Sequence, residues 1–117
     1  MMSKYKIFHN PRCSKSRQTL QILEEHDCEV EVILYLETAI DESVLVDILM
    51  KMSLSPRDLL RKGEQEFKDN NLKNSNYSDQ EIIKFMIKHP KLIERPIVLK
   101  GDKAILGRPP ENVLELI

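Results

Sequence analysis

The N-terminal third of the chain places a helical pattern between two strand patterns, and this order limits the possible folds most. "KYKIF" (Lys4–Phe8) alternates polar and apolar residues, which predicts a short strand. "CEVEVILYL" (Cys28–Leu36) is rich in Val and Ile and predicts a second, buried strand. A helix is predicted to begin near Cys13 or Ser14. A strand, a helix and a strand within about 35 residues predict a βαβ unit with parallel strands.

The C-terminal part of the chain predicts a second set of strands. "RPIVL" and "KAIL" are short apolar runs joined by "KGD", which predicts an antiparallel hairpin with a turn at Gly101 and Asp102. A loop with two prolines and a terminal helix follow. The order is therefore βαβ first and ββα last.

The middle of the chain carries only helical patterns. "DESVLVDILMKM" has apolar residues at helical spacing after Asp41, and Ser55 and Pro56 are typical of another helix start. "SDQE" (Ser78–Glu81) is a capping box that opens a helix ending before Pro90. "DNNLKNSNY", just before that box, is polar and predicts a loop.

Taken together, these patterns predict an α/β fold of one thioredoxin-like domain over residues 1–117. Its four-stranded mixed sheet combines the βαβ and ββα halves, and a helical insertion occupies about residues 41–90.

The charges near the N-terminus are distributed unevenly. The net charge of the whole chain is -1 at pH 7, which gives no case for binding to nucleic acid or to membranes. No acidic residue precedes Glu24, however, whereas five basic residues do. These residues are Lys4, Lys6, Arg12, Lys15 and Arg17.

Cys13 lies within this cationic stretch, in "HNPRCSKSRQT". A thiol becomes a good nucleophile as its thiolate, and a helix N-terminus with nearby cations favours that form. His9 precedes the cysteine by four residues, and Ser16 stands where a Cys-x-x-Cys pair would have its second thiol. The alternative is that Cys13 is a small core residue and the charges belong to a solvated helix face.

The spacing and number of the cysteines exclude two familiar kinds of thiol site. A Cys-x5-Arg phosphatase loop is absent, since the sixth residue after Cys13 is Thr19. Two cysteines are too few for a disulfide scaffold, and Cys28 is expected to be a small core residue.

The first ten residues lack the apolar segment of a signal peptide, so we expect a cytoplasmic protein.

Three arginines are candidates for binding an anion: Arg61, Arg95 and Arg108. Arg95 and Arg108 flank the predicted hairpin, and each directly precedes a proline. The planar guanidinium matches an oxyanion in geometry and charge. Arginines held by rigid loops near a cationic thiol suggest an anionic substrate.

Five stretches in this order resemble the glutaredoxin-coupled arsenate reductase family, and they cover nearly the whole chain. They are "FHNPRCSKSR", "VILYLE", "DLLRKGE", "KHPKLIERPIV" and "GRPPE".

The resemblance implies that Cys13 attacks arsenate, that His9 helps to hold the thiolate and that Ser16 hydrogen-bonds it. Arg61, Arg95 and Arg108 match the family's oxyanion-binding arginines. Glutathione, as co-substrate, and glutaredoxin would be the external reductants, and arsenite would leave. No metal and no tightly bound cofactor are implied.

Two other functions remain open. Related transcription regulators share the fold and bind RNA polymerase, although those that sense redox state carry Cys-x-x-Cys, which Ser16 breaks here. The chain could also be a glutathione-dependent thiol reductase that acts on a different substrate.

Overall fold

The computed structural model describes residues 4–74 and 76–117. Contacts divide the chain into two compact units: one runs up to Thr38 and resumes at Arg95–Ile117, and the other is Ala39–Glu94. The single domain predicted for residues 1–117, with its insertion at about 41–90, stays a prediction. Ser75, within the predicted loop, lies outside the described residues.

The first unit contains a four-stranded mixed sheet. Its strands are β1 (Tyr5–Phe8), β2 (Val30–Ile33), β3 (Ile97–Lys100) and β4 (Lys103–Leu106), arranged in the order β2-β1-β3-β4. β1 runs parallel to β2 and antiparallel to β3, and β3 pairs with β4 as a hairpin. The predicted α/β, thioredoxin-like fold class is thereby confirmed.

Helix α1 (Ser14–Glu25) connects the two parallel strands, as predicted. Leu23 of this helix is fully buried, and Leu20 and Ile22 pack against the same core. A 3₁₀ segment, Pro110–Leu116, packs on α1 and β4. The core of this unit consists of Tyr5, Ile7, Leu23, Val98, Val113 and Leu116.

The prediction of a buried strand over Cys28–Leu36 is wrong in length and in burial. β2 has only four residues, and Val32 is 44% exposed because β2 pairs with β1 alone and forms an edge of the sheet. Beyond β2 the backbone turns, and Leu34 O accepts hydrogen bonds from the N–H groups of Glu37 and Thr38. An apolar run cannot by itself distinguish a central strand from an edge strand.

The second unit is built mainly of helical segments, with α2 (Glu42–Met52), α3 (Gln65–Asp69) and α4 (Asp79–Lys88) as its α-helices. α4 packs against α2 and against the 3₁₀ segments Pro56–Leu59 and Pro90–Leu92. The buried apolar residues of the second unit are Ile40, Leu45, Ile48, Leu49, Leu59, Leu60, Leu72, Ile82, Ile83, Met86, Leu92 and Ile93.

The predicted helix start at Ser78 is confirmed at atomic level. Ser78 Oγ accepts a hydrogen bond from Glu81 N at 3.2 Å, and Glu81 Oε1 accepts one from Ser78 N at 3.0 Å. This reciprocal pair satisfies donors that the first helical turn leaves open. Within the described part of the chain, no helix is both long enough and apolar enough to cross a bilayer.

Candidate active site

Cys13 lies in the loop that connects β1 to α1, at the carboxyl end of a parallel strand, where ligand sites of α/β sheets are usually found. Asn10 fixes this loop from two sides. Its backbone oxygen accepts a hydrogen bond from Cys13 N, and its side-chain Oδ1 accepts one from Arg12 N, both at 3.0 Å. Arg17 N then donates to Cys13 O at 3.0 Å, which begins the helix. Cys13 is therefore the N-cap residue of α1, as the sequence predicts.

The pKa of the Cys13 thiol is lowered, although its partial burial alone would raise it. The backbone N–H groups of Ser16 and Lys15 hydrogen-bond to the sulfur, and the Arg95 side chain adds a hydrogen bond and a positive charge. All three favour the thiolate over the neutral thiol. These surroundings favour the thiolate form of Cys13, and the thiolate is the form in which a cysteine acts as a nucleophile.

Ser16 contacts the thiol through its backbone N–H, whereas its side chain points to His9. The distance between Ser16 Oγ and His9 Nδ1 is 2.6 Å, and Asn10 N donates to the same Oγ at 3.1 Å. Ser16 is fully buried and His9 is 6% exposed. The hydroxyl of Ser16 was expected to hydrogen-bond the thiolate, whereas its Oγ contacts His9 and Asn10 and its backbone N–H hydrogen-bonds the sulfur.

The pKa of His9 is lowered, chiefly because burial disfavours the imidazolium and secondly because Arg17 is a nearby positive charge. Glu24 acts in the opposite direction. The neutral imidazole is the favoured form at neutral pH. His9 therefore stabilises the loop through Ser16 without bringing a second positive charge to the thiol.

Arg95 and Arg108, which flank the β3–β4 hairpin, are adjacent in the structure. Arg108 Nη1 donates a hydrogen bond to Arg95 O at 3.5 Å, and the Arg95 side chain reaches the Cys13 sulfur. Each arginine precedes a proline through a cis peptide bond. Two of the three predicted oxyanion-binding arginines are thus brought together beside the thiol loop.

Gly107 connects the hairpin to α1, a role that the sequence analysis did not assign. Thr19 Oγ1 donates to Gly107 O at 3.3 Å, and Gly107 N donates to Pro96 O at 2.9 Å. A Cβ atom at this position would lie 2.6 Å from Thr19 Oγ1 and 2.9 Å from Pro96 Cγ. Only glycine allows this close approach, which places Arg95 and Arg108 beside the helix that carries Cys13. A glycine directly before an Arg-Pro pair was the available sequence signal.

Arg61 belongs to the second unit. Its guanidinium makes ion pairs with Glu64 at 3.4 Å and Glu94 at 3.6 Å, and its backbone N–H donates to Leu92 O at 2.7 Å. Its predicted role in binding an oxyanion stays a prediction.

Cys28 and Cys13 lie at opposite ends of the parallel strands β1 and β2. Val30, two residues after Cys28, pairs with Tyr5 at the start of β1, whereas Cys13 follows the end of β1. At about 3.3 Å per residue, a four-residue strand separates the two thiols by more than a disulfide can bridge. Both cysteines are free, and Cys28 packs against the core, as expected.

The residues that the structure describes contain no group of three or more His, Cys, Asp or Glu side chains placed to hold a metal ion.

Comparison with known proteins identifies the family. Residues 8–116 match the ArsC family. The chain is 49% identical to the uncharacterized protein YfgD of Escherichia coli, over 100% of this chain and 99% of that protein. It is 46% identical to an arsenate reductase of Neisseria meningitidis, over 96% and 97%. An arsenate reductase structure from Vibrio cholerae superposes with a TM-score of 0.96 at 42% identity, covering 100% of both chains. The chain therefore belongs to the ArsC family.

Proposed function

We propose that this protein reduces arsenate to arsenite, with Cys13 as the nucleophile and with glutathione and glutaredoxin as external reductants. The observation that carries the proposal is the position of Cys13 at the N-terminus of α1, where the Arg95 side chain and the backbone N–H groups of Ser16 and Lys15 favour the thiolate. The Neisseria and Vibrio relatives are named arsenate reductases, which supports arsenate as the substrate.

In the first step, the Cys13 thiolate attacks arsenic and an As–O bond breaks. The departing oxygen takes up a proton and leaves as water, so a Cys13–S–As(V) bond forms without a change in oxidation state. Arg95 and Arg108 bind the remaining oxygens, since guanidinium groups match an oxyanion in shape and charge. Because Arg95 also contacts the Cys13 sulfur, it holds the nucleophile and the substrate together.

In the second step, a thiol of glutathione displaces another oxygen from arsenic, again as water. The glutaredoxin thiolate then attacks the glutathione sulfur. A disulfide forms between glutaredoxin and glutathione, and the bond between the glutathione sulfur and arsenic breaks. The electron pair of that bond reduces As(V) to As(III). Hydrolysis of the Cys13–As(III) bond releases arsenite and restores the thiol.

The partner thiol comes from outside because this chain offers no second thiol near the first. Cys28 lies at the other end of the parallel strands, and Ser16 occupies the position that the second, resolving cysteine has in a Cys-x-x-Cys pair. A free, activated thiol of this kind stays reduced in the cytoplasm, which we propose as its location. The scheme requires no metal and no bound organic cofactor.

Arg61 is the third arginine in the proposal. In its own unit it is paired with two carboxylates, which partly offset its charge. Its assignment rests on the family resemblance, and Arg61→Gln in the assay below tests it separately from Arg95 and Arg108. An unchanged KM for arsenate in that variant would remove Arg61 from the site.

The decisive experiment is a coupled assay with arsenate, glutathione, glutaredoxin, glutathione reductase and NADPH. We expect arsenate-dependent NADPH oxidation that requires both thiol reductants and disappears in Cys13→Ser. Cys28→Ser is the matched control and should retain the rate. A wild-type protein that reduces glutathione mixed disulfides but not arsenate would be a thiol reductase instead. Binding to RNA polymerase without either activity would favour the regulator.

A further inference from the structure

A cavity of about 240 Å³ lies in the first unit beside the Cys13 loop. One wall is the loop itself, residues 9–12, and the other consists of Leu34, Leu36 and Glu37 from the turn after β2. The two walls meet because β1 and β2 are parallel, so their carboxyl ends lie at the same edge of the sheet. None of the roles proposed above uses Leu34, Leu36, Glu37 or Arg12.

We propose that this cavity binds the thiol co-substrate, glutathione, and that Arg12 and Glu37 recognise its charged ends. The inference rests on the proposed function in one respect, namely that the partner thiol is glutathione. It adds the site at which the tripeptide binds and the residues that select it.

The charges of the cavity complement those of glutathione. Arg12 and Glu37 are both exposed, and in the part of the chain that the structure describes neither side chain forms an ion pair. Glutathione carries two carboxylates and one ammonium group at neutral pH. A guanidinium binds a carboxylate and a carboxylate binds an ammonium group, so both side chains gain partners when the peptide binds.

The remaining walls suit a short peptide, and the position suits its sulfur. Leu34, Leu36 and Pro11 provide an apolar surface in the same cavity, as is usual in small-ligand sites. Arg12 directly precedes Cys13, and the backbone hydrogen bond from Cys13 N to Asn10 O ties the thiol to the cavity wall. An extended tripeptide spans only about 10 Å, so a glutathione anchored at Arg12 keeps its sulfur near the Cys13 loop.

Glutathione disulfide tests this site without arsenate. The Cys13 thiolate attacks one sulfur of the disulfide, a Cys13–S–S–glutathione bond forms, and the second glutathione leaves as a thiolate. Cys13 is thereby oxidised and the departing glutathione is reduced. The rate is compared with that for hydroxyethyl disulfide, which is neutral and cannot use Arg12 or Glu37. The ratio of the two rates cancels any change in the reactivity of the thiol itself.

In a Cys28→Ser background, we expect the protein to prefer glutathione disulfide over hydroxyethyl disulfide. Arg12→Gln and Glu37→Gln should each lower the rate with glutathione disulfide about three- to fivefold, and the double variant about tenfold, as expected for exposed charge pairs. The rate with hydroxyethyl disulfide should not change. Lys103→Gln and Glu115→Gln, exposed charges elsewhere in the unit, are the matched controls and should behave as wild type.

Equal rates with both disulfides in the wild type, or variants that slow both equally, would overturn the proposed site. This experiment distinguishes a failure of the proposed glutathione site from a failure of the proposed function. Arsenate reduction without a preference for glutathione disulfide would remove the cavity from the mechanism and leave the reductase intact. A preference that depends on Arg12 and Glu37 in a protein without arsenate reduction would keep the glutathione site and remove the arsenate chemistry.

Discussion

The Nδ1 atom of His9 lies 2.6 Å from the Oγ atom of Ser16, and both side chains are buried. The same Oγ accepts a hydrogen bond from Asn10 N. One hydroxyl thus joins the end of β1, the loop and the first turn of α1. The Cys13 sulfur accepts hydrogen bonds from backbone N–H groups of that turn and not from the Ser16 hydroxyl. The hydroxyl therefore acts on the thiol indirectly, by holding the loop and the first turn of the helix in place.

Ser16→Ala should therefore affect stability more than the reactivity of Cys13. The change leaves His9 Nδ1 and Asn10 N buried without their partner, which costs about 1–3 kcal/mol in the free energy of unfolding. The backbone N–H of residue 16 remains and continues to favour the thiolate. Urea denaturation measures the first quantity, and the pH midpoint of iodoacetamide alkylation measures the second.

Ser14→Ala is the control for that variant, because Ser14 is exposed in the same helical turn. It should change neither quantity. A Ser16→Ala protein with wild-type stability but a strongly raised alkylation midpoint would show that the hydroxyl acts on the sulfur directly.

His9 should make the protein less stable as the pH falls below about 6.5, the ordinary pKa of histidine. Its pKa is lowered in the folded state by burial and by Arg17, so the unfolded chain binds a proton more readily in this range. Stability then decreases with falling pH until the folded-state pKa is passed. The measurement is the free energy of unfolding between pH 5 and pH 7, above the range in which Asp58 and Glu81 titrate.

In His9→Gln this part of the pH dependence should disappear, whereas His26→Gln, an exposed residue, should retain it. A pH profile that is identical in wild type and His9→Gln would contradict the lowered pKa.

Local signals in the sequence were sufficient for most elements of the fold. The alternation before Phe8, the capping box at Ser78 and the turn at Gly101 each depend on neighbouring residues, and the structure has an element at each position. The edge position of β2 depends on which strands pair, which is a property of the whole sheet. The exposure of Val32 therefore could not be read from the apolar run around it.

The candidate site divides in the same way. Cys13 at a helix start follows from the strand, the proline and the helical pattern around it. The direction of the Ser16 hydroxyl leaves no trace in local patterns. The glycine before Arg108 and Pro109 is a local signal, but its partner Thr19 is 88 residues away and could not be identified from it. Arg95 was a candidate because it precedes a proline and matches a family motif. Its hydrogen bond to the sulfur is a property of the fold.

Arg95→Gln should raise the pH midpoint of Cys13 alkylation more than Arg108→Gln does. Arg95 acts on the sulfur through both a hydrogen bond and its charge, while Arg108 Nη1 contacts the backbone oxygen of Arg95. The experiment uses iodoacetamide and a Cys28→Ser background, in which Cys13 is the only thiol. Arg95→Lys should lie between wild type and Arg95→Gln, since it keeps the charge and loses the planar fork.

Arg17→Gln is an informative comparison, because Arg17 is a neighbouring cation whose Nη1 donates to Pro11 O instead of the sulfur. Its alkylation midpoint should remain close to that of the wild type. Equal upward shifts in all these variants would mean that a diffuse positive field, and not the contact with Arg95, stabilises the thiolate.

Gly107→Ala should destabilise the first unit and weaken arsenate binding together. The new methyl group would lie 2.6 Å from Thr19 Oγ1 and 2.9 Å from Thr19 Cγ2, so the hairpin must move away from α1. Overpacking of this kind costs about 1–3 kcal/mol. Because the movement separates Arg95 and Arg108 from Cys13, the KM for arsenate and the alkylation midpoint should both rise.

A second change at Thr19 distinguishes this steric effect from a general loss of stability. Thr19→Ala removes two of the three close contacts and leaves the one with Pro96 Cγ, so adding it to Gly107→Ala should restore only part of the lost stability, which a double-mutant cycle measures. Gly63→Ala is the control: its Cβ would meet nothing within 4 Å, and its stability should equal or slightly exceed that of wild type. Strictly additive losses at positions 19 and 107 would show that the two residues do not hold the hairpin against the helix.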